Sequence, residues 1–250
     1  MCASRGRRVS VRQVRSGAAG GLDSACRKGQ RCHESAPYRS PSRMNTKDDI
    51  PRKTVYRLSI YQRCLQRLKE NNVETVSSEA LSKAAGVKSS QLRKDLAYFG
   101  NFGTRGLGYN VESLSGMIGE TLGTTRLQPV ILVGVGNLGS ALLRYSGFNK
   151  EGFEIVAAFD SHPERVRDTG TRTAIHPAAS ISAFIRDNAV KLAILAVPAA
   201  VAQQVVNELV TAGVQAILNF APVVLEVPEQ VVVNNVDLAV ELENLSYFIR

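Results

Sequence analysis

Histidine and cysteine are scarce in this sequence, and their positions exclude most of the chemistry they usually carry. There are three histidines, His33, His162 and His176, and four cysteines. Cys2, Cys26 and Cys32 fall within the first 43 residues, and their spacing to one another and to His33 matches no zinc pattern. Cys64 lies in a helical pattern and reads as a buried thiol, so there is no disulfide framework and no metal site is expected. No apolar run approaches the ~20 residues of a membrane span, and no secretory apolar region is present. The expected compartment is the cytoplasm, without membrane contact.

Charge is present but unevenly spread. Residues 1–43 hold ten Lys/Arg against two Asp/Glu, residues 51–110 eleven against four, and residues 111–250 nine against fourteen. A basic tail and a basic small segment therefore precede an acidic large one. Basic charge confined in this way predicts a polyanion partner for the small segment alone. The first residues are rich in Arg, Ser and Gly and show no apolar period, so residues 1–49 read as a disordered basic tail. They resemble an organellar transit peptide in being Arg-rich and acid-poor, but nothing else in the chain supports that reading. Met44 opens a more ordinary N-terminus, MNTKDDIPRK, so residues 1–43 also read as the product of a misassigned start.

From Thr54 to Asn71, apolar residues recur at Val55, Leu58, Tyr61, Leu65 and Leu68, one face of a helix. VETVSS is a short extended piece, and Ser77 or Ser78 caps a second helix closed by Gly86. In QLRKDLAYFG, Leu92, Leu96 and Phe99 turn inward and Gly100 stops the helix. Gln91, Arg93, Lys94 and Tyr98 are left facing outward, where the recognition helix of a helix-turn-helix meets bases and phosphates. The next stretch, GNFGTRGLGYNV, holds four glycines from Gly100 to Gly108, with Arg105 near the middle. Such a loop makes a hairpin wing whose arginine enters a minor groove. Residues 50–110 thus read as a winged helix-turn-helix domain that binds DNA through Gln91, Arg93, Lys94, Tyr98 and Arg105. A small helical docking domain with solvated charges is the alternative, and the strongly basic balance weighs against it.

Residues 111–126, with Val111, Leu114, Met117, Ile118 and Leu122 on one side, read as a linker helix. Short apolar strands then alternate with helices: VILVG, FEIVAAFD, VKLAILAVP, VQAILNFAPV and EQVVVNN. Over residues 127–237 this predicts a Rossmann-type doubly wound parallel sheet, an α/β fold following the winged domain. VDLAVELENLSYFIR closes the chain as a helix over residues 238–250.

The first strand runs into Gly134-x-Gly136-x-x-Gly139. Gly134 permits a tight turn, Gly136 lets a pyrophosphate approach the backbone, and Gly139 lets helix and strand pack closely. The helix N-terminus then faces the phosphates. Asp160 ends the next strand, 21 residues after Gly139. A carboxylate there accepts ribose hydroxyls and repels a 2′-phosphate, which favours NAD(H) over NADP(H); nearby Arg165 and Arg167 oppose that preference. The expected cofactor-binding set is Gly134, Val135, Gly136, Asn137, Leu138, Gly139 and Asp160. Val197 and Pro198 after the third strand, Asn219 ending the fourth, and Leu238 at the last helix complete it.

Catalysis lacks its parts. His162 sits in a turn at the adenine end, too far from a nicotinamide to act as its base. His176 precedes Pro177 in a connection and reads as a solvated turn residue. No Ser-x-x-x-Tyr-x-x-x-Lys constellation occurs, and no second domain is left to hold a substrate. The protein is not expected to be an enzyme. Its nucleotide is expected to be read, not used.

The stretches SSQLRKDLAYFGNFGTRGLGY, LVGVGNLGSAL, AFDSHPER, ILNFAPVVLEVP and NVDLAVELENLSYFI resemble the Rex family of bacterial redox-sensing transcriptional repressors over roughly residues 50–250. The resemblance implies a homodimer that binds palindromic double-stranded operator DNA when NADH/NAD+ is low and leaves it when NADH rises. It implies exchange of the C-terminal helix between subunits through Leu238, Leu242, Leu245 and Ile249; a helix docked on its own subunit is the alternative. It also implies a switch whose Arg, Tyr and Asp match Arg63, Tyr145 and Asp237. Ligand choice has a physical basis: an aliphatic interface pocket accepts the neutral reduced ring, whereas burying the cationic oxidised ring is costly. Two other classes stay open, an NAD-dependent oxidoreductase with a basic docking domain and a nucleotide- or CoA-binding module that acts through proteins.

Overall fold

The computed structural model describes residues 50–100, 102–104, 106–166 and 170–249. The basic tail, Arg105 and Arg167 lie outside the described residues.

Pro51 precedes α1 (Arg52–Glu70), whose inward face carries Leu58, Tyr61, Cys64 and Leu65. After β1 (Thr75–Val76), the Ser77 hydroxyl accepts the Ala80 N–H at 3.0 Å and starts α2 (Ser78–Ala84). Gly86 turns the chain toward α3 (Ser89–Ala97) with φ +68°. β2 (Gly103–Thr104) and β3 (Gly108–Asn110) follow, and the three strands pair antiparallel in the order β1-β3-β2. This is the wing. The φ of Gly108 is +82°, and a Cβ there would collide with the Val76 carbonyl, so the hairpin closes on the helices only with glycine.

Asn110 caps α4 (Val111–Leu122) by accepting the Ser113 N–H at 2.9 Å. The sequence suggested that this helix is a linker. It is instead part of the winged core: Val111, Leu114 and Ile118 share one cluster with Leu58, Tyr61, Leu65, Leu81, Leu92 and Leu96. An apolar stripe shows that a helix packs, but not against what. The connection proper is the short stretch from Gly123, left-handed at φ +72°, to the next strand.

That strand is β4 (Gln128–Val133). It is followed by α5 (Asn137–Arg144), α6 (Gly147–Lys150), β5 (Phe153–Asp160), β6 (Ile175–Pro177) and α7 (Ile181–Asn188). β7 (Leu192–Leu195), α8 (Ala199–Ala212), β8 (Ala216–Asn219), β9 (Val232–Asn235) and α9 (Leu238–Tyr247) complete the chain. The six strands are parallel in the order β6-β5-β4-β7-β8-β9. Chain order reverses between β4 and β7, which makes their carboxyl ends the crevice where a doubly wound sheet takes its ligand.

The strand β6 was not expected. Its three residues are too few to show an apolar run, and they pair along the edge of the longer β5. His176, read as a solvated turn residue, lies on that strand with its ring 5.6 Å from Phe159 and 5.8 Å from Phe184. It is packed among aromatics.

One sheet face is covered by α7 and α8, which bring Ile181, Ile185, Val206 and Leu209 onto Ile131, Val133, Phe159 and Leu195. On the other face, α5 and α6 cover only part of the sheet. An apolar cavity of about 330 Å³ remains there, lined by Ile155, Leu192, Ile194, Leu218 and Val232. The helix α9 does not fill it. No residue of α9 is buried, and Leu238, Leu242, Leu245 and Ile249 are all exposed. The alternative of a helix docked on its own subunit is not what the structure shows. No helix among the described residues is long and apolar enough to cross a membrane.

Candidate functional site

The glycine turn is compelled by sterics. Gly134, at the end of β4, has φ +93°, and a Cβ there would stand 2.5 Å from the Ala196 carbonyl oxygen on the neighbouring strand's exit. Gly139 lies directly against the Gly134 carbonyl, which any Cβ would overlap. Gly136 differs. A Cβ on it would meet nothing within 4 Å, so the space before α5 is open to a pyrophosphate. Gly136 also offers no side chain to cap α5, which leaves the first-turn N–H groups of Asn137 and Leu138 for a ligand.

Asp160 has two tasks. Its Oδ2 accepts the Val135 N–H at 2.8 Å and its Oδ1 accepts the His162 N–H at 2.9 Å, so it braces the glycine turn from the adjacent strand. It also lines a cleft of about 680 Å³ with Gly136, Asn137, Ser140, Arg144 and Arg165. Each carboxylate oxygen keeps acceptor capacity for a ribose hydroxyl. NAD(H) fits this cleft. Replacing Asp160 with Ala is expected to weaken NADH binding by about 10- to 100-fold, the loss of one or two hydrogen bonds to a charged group. Operator affinity without nucleotide should stay within about twofold. A fluorescence titration of NADH beside a DNA mobility shift checks both, and unchanged NADH affinity would remove Asp160 from the site.

Val197 and Pro198 leave β7 at the reversal point, with Pro198 opening α8. Asn219, expected in the cofactor-binding set, ends β8. It is wholly buried, its Oδ1 accepts the Ala221 N–H, and its Nδ2 faces the Ala221 and Val223 carbonyls at 3.1 Å and Asn235 Oδ1 at 2.9 Å. The side chain is consumed in shaping the loop after β8. Leu238 also stands apart, exposed on α9 and absent from the glycine cleft of its own chain.

On the winged domain, Arg93 and Lys94 project from α3 into solvent, and Tyr98 is exposed beside them. Arg93 Nη1 donates to the Ser78 hydroxyl at 3.2 Å, which steadies it across the turn. Gln91 is half-buried, and its Nε2 donates to Asp95 Oδ1 at 2.9 Å.

Asp95 is the residue the sequence reading missed. It is wholly buried and gathers donors from α1: Arg57 Nε at 2.6 Å and Nη2 at 2.7 Å, Tyr61 Oη at 2.7 Å and Thr54 Oγ1 at 3.3 Å. A signal existed. Asp95 falls three residues after Leu92 and next to Leu96, on the face that packs, while Arg57 and Tyr61 stand one turn apart on α1. Burial pushes the Asp95 carboxyl up, but the hydrogen bonds from Arg57, Tyr61 and Gln91 outweigh it and hold the group below its ordinary value. Burial and the bond to Asp95 push the Tyr61 phenol up.

A carboxyl that titrates lower in the folded chain stabilises it fully above the unfolded pKa of about 4. That stabilisation is lost as pH falls through the lowered value. Urea unfolding of the winged domain between pH 7 and pH 2.5 should therefore show an acid-side loss of stability that is smaller in Asp95→Asn. An identical acid limb in both proteins would refute the coupling.

Two of the three residues expected to form a switch line one cavity. Arg63 and Tyr145 line the apolar cavity on the sheet face, where the Tyr145 ring stacks edge-on to Phe148 at 5.0 Å. Arg63 Nε lies 3.7 Å from Glu151 Oε1, a carboxylate the sequence did not single out. Asp237 is elsewhere. It caps α9 by accepting the Ala239 and Val240 N–H groups at 2.9 and 3.3 Å, and it lines a separate cleft with Ala221 and Val223.

Residues 49–97 match the family model described as "Putative DNA-binding protein N-terminus", and residues 125–223 match the CoA binding domain. The redox-sensing transcriptional repressor Rex of Pelotomaculum thermopropionicum is 46% identical over 198 residues, which cover 79% of this chain and 93% of that one. The Rex of Streptomyces coelicolor is 48% identical over 79% of this chain and 77% of its own. Among solved structures, RSP in complex with β-NAD+ and operator DNA superposes with a TM-score of 0.73 at 37% identity, covering 80% of this chain and 92% of that one. RSP in complex with β-NADH gives 0.70 at 35% identity, covering 80% and 94%. Relatives of this identity span both the basic winged domain and the braced glycine cleft, and the chain belongs to the Rex family of redox-sensing transcriptional repressors.

Proposed function

We propose that this protein is a repressor that holds palindromic operator DNA as a homodimer and releases it when NADH occupies the glycine cleft. One observation carries the reading: an outward basic recognition helix and an open dinucleotide cleft share one chain. Arg93 and Lys94 on α3 and Tyr98 beside it contact the operator, joined by Arg105 from the wing.

Dimerisation and helix exchange are supported by two surfaces without partners. The stripe of α9 is exposed along its length, and the sheet-face cavity beside Arg63 and Tyr145 is apolar and open. Insertion of the partner's α9 there covers both and carries an Asp237 carboxylate toward Arg63 and Tyr145. Arg63 can then exchange Glu151 for Asp237. The neutral ring of NADH suits an aliphatic interface better than the cation of NAD+ does, so NADH favours the closed dimer. A shift from 1:99 to 99:1 needs a differential affinity of about 5.5 kcal/mol. Acting on DNA, such a protein works in the bacterial cytoplasm.

A mobility-shift titration with a palindromic duplex tests this. Retention at physiological salt, relieved by NADH and far less by NAD+, is expected, with NADH absorbance constant over a broad panel of substrates. Linkage requires that DNA weaken NADH binding by the same factor. Steady oxidation of NADH would favour an oxidoreductase instead.

A further inference from the structure

We propose that Asp95 is a positioning residue for sequence reading: it orients the amide of Gln91 so that Gln91 reads an adenine in the major groove of each half-site. This rests on α3 being the recognition helix.

The inference starts from the chemistry of the pair. An ionised carboxylate only accepts hydrogen bonds, whereas a glutamine amide has one accepting and one donating end. With Asp95 Oδ1 at 2.9 Å, the amide must turn its Nε2 inward. Four contacts from Arg57, Tyr61 and Thr54 already satisfy the carboxylate. Asp95 therefore orders Gln91 more than Gln91 supports Asp95.

One N–H of Gln91 is committed to Asp95. No hydrogen bond holds its Oε1 among the described residues, and the amide keeps a second N–H. An N–H next to an oxygen is the pattern that matches adenine, whose N7 accepts and whose N6 amino group donates. Guanine presents two acceptors on that edge and would set its O6 against Oε1. Gln91 lies in the first turn of α3, one turn before Lys94, on the flank that borders the exposed face. A glutamine already held in its reading orientation loses little side-chain freedom on meeting the base.

The test is selection of bound duplexes from a randomised pool by the full chain and by Gln91→Met, Asp95→Asn and the double variant. The unaltered protein should prefer adenine at one symmetric position of each half-site, where other bases bind roughly 5- to 150-fold more weakly. Gln91→Met should erase that preference and leave the other positions intact. Asp95→Asn should lose it too, and should add nothing to the specificity loss in the Gln91→Met background. A merely structural Asp95 would weaken all duplexes alike.

Should Asp95→Asn fail to fold, the Gln91 side-chain amide can be followed by NMR in the unaltered protein. Slow proton exchange at Nε2 supports the anchor, and exchange as fast as in free glutamine overturns it. Base preferences unchanged in Gln91→Met, or additive losses in the double variant, also overturn it. If the unaltered protein selects no duplex at all, the repressor reading itself has failed.

Discussion

Aspartate at both Leu242 and Leu245 is expected to yield a folded monomer that no longer holds the operator. Neither leucine is buried in its own subunit, so the change removes no packing there. In a dimer both carboxylates would have to enter the apolar sheet-face cavity of the partner, and an unpaired charge among aliphatic side chains is strongly disfavoured. A monomer engages one half-site and loses the gain from having the second tethered nearby, a factor of about 10²–10⁴. Sedimentation should report a single chain, circular dichroism a retained fold, and the mobility shift a loss of at least 100-fold. A variant that sediments as a dimer with unchanged operator affinity would refute the exchange of α9.

Alanine at Gly139 should abolish the response to NADH while sparing operator binding. Its methyl group meets the Gly134 carbonyl, a backbone atom that cannot swing aside. The helix α5 must shift outward, which carries the first-turn N–H groups away from the pyrophosphate and overpacks the strand by about 1–3 kcal/mol. NADH affinity should fall by at least 100-fold, and the DNA complex should persist at NADH concentrations that dissociate the unaltered protein. Gly136→Ala separates the two contributions. Its methyl group meets only open space, so nucleotide affinity should fall without a change in melting temperature. If Gly139→Ala bound NADH normally, the nucleotide would have to lie elsewhere.

The sheet, the wing and the glycine turn were legible because each repeats a physical period or a steric need over several residues. Five apolar strands stand out between helices, and Asp160 sits where the second of them ends. Features that depend on what an element packs against left no such trace. The stripe of α4 looked the same whether it lined a linker or a core. Asn219 ends a strand, but only its buried loop partners show that its amide is consumed. Asp95 interrupts an apolar face, yet Arg57, Tyr61 and Thr54, which make it tolerable there, are 34 to 41 residues away. Asp237 caps a helix with no buried residue, so its expected pairing with Arg63 leaves no mark within one chain.

The incorporation of α4 into the winged core has a mechanical consequence. Only Gly123 to Leu127 separate that core from β4, and Gly123 carries a left-handed bend with its carbonyl held by Gln128 Nε2 at 2.7 Å. A short connection therefore carries a rigid helix. The twelve residues of α4 span about 18 Å, so a tilt of ten degrees at Gly123 swings the far end by about 3 Å. In the proposed homodimer, two such arms swinging oppositely would change the separation of their tips by about 6 Å, a sizeable fraction of the ~34 Å between successive major grooves. In the proposed repressor, nucleotide binding then requires no distortion of the winged domain. In the proposed homodimer, a small rotation at this connection would take both winged domains out of step with the double helix.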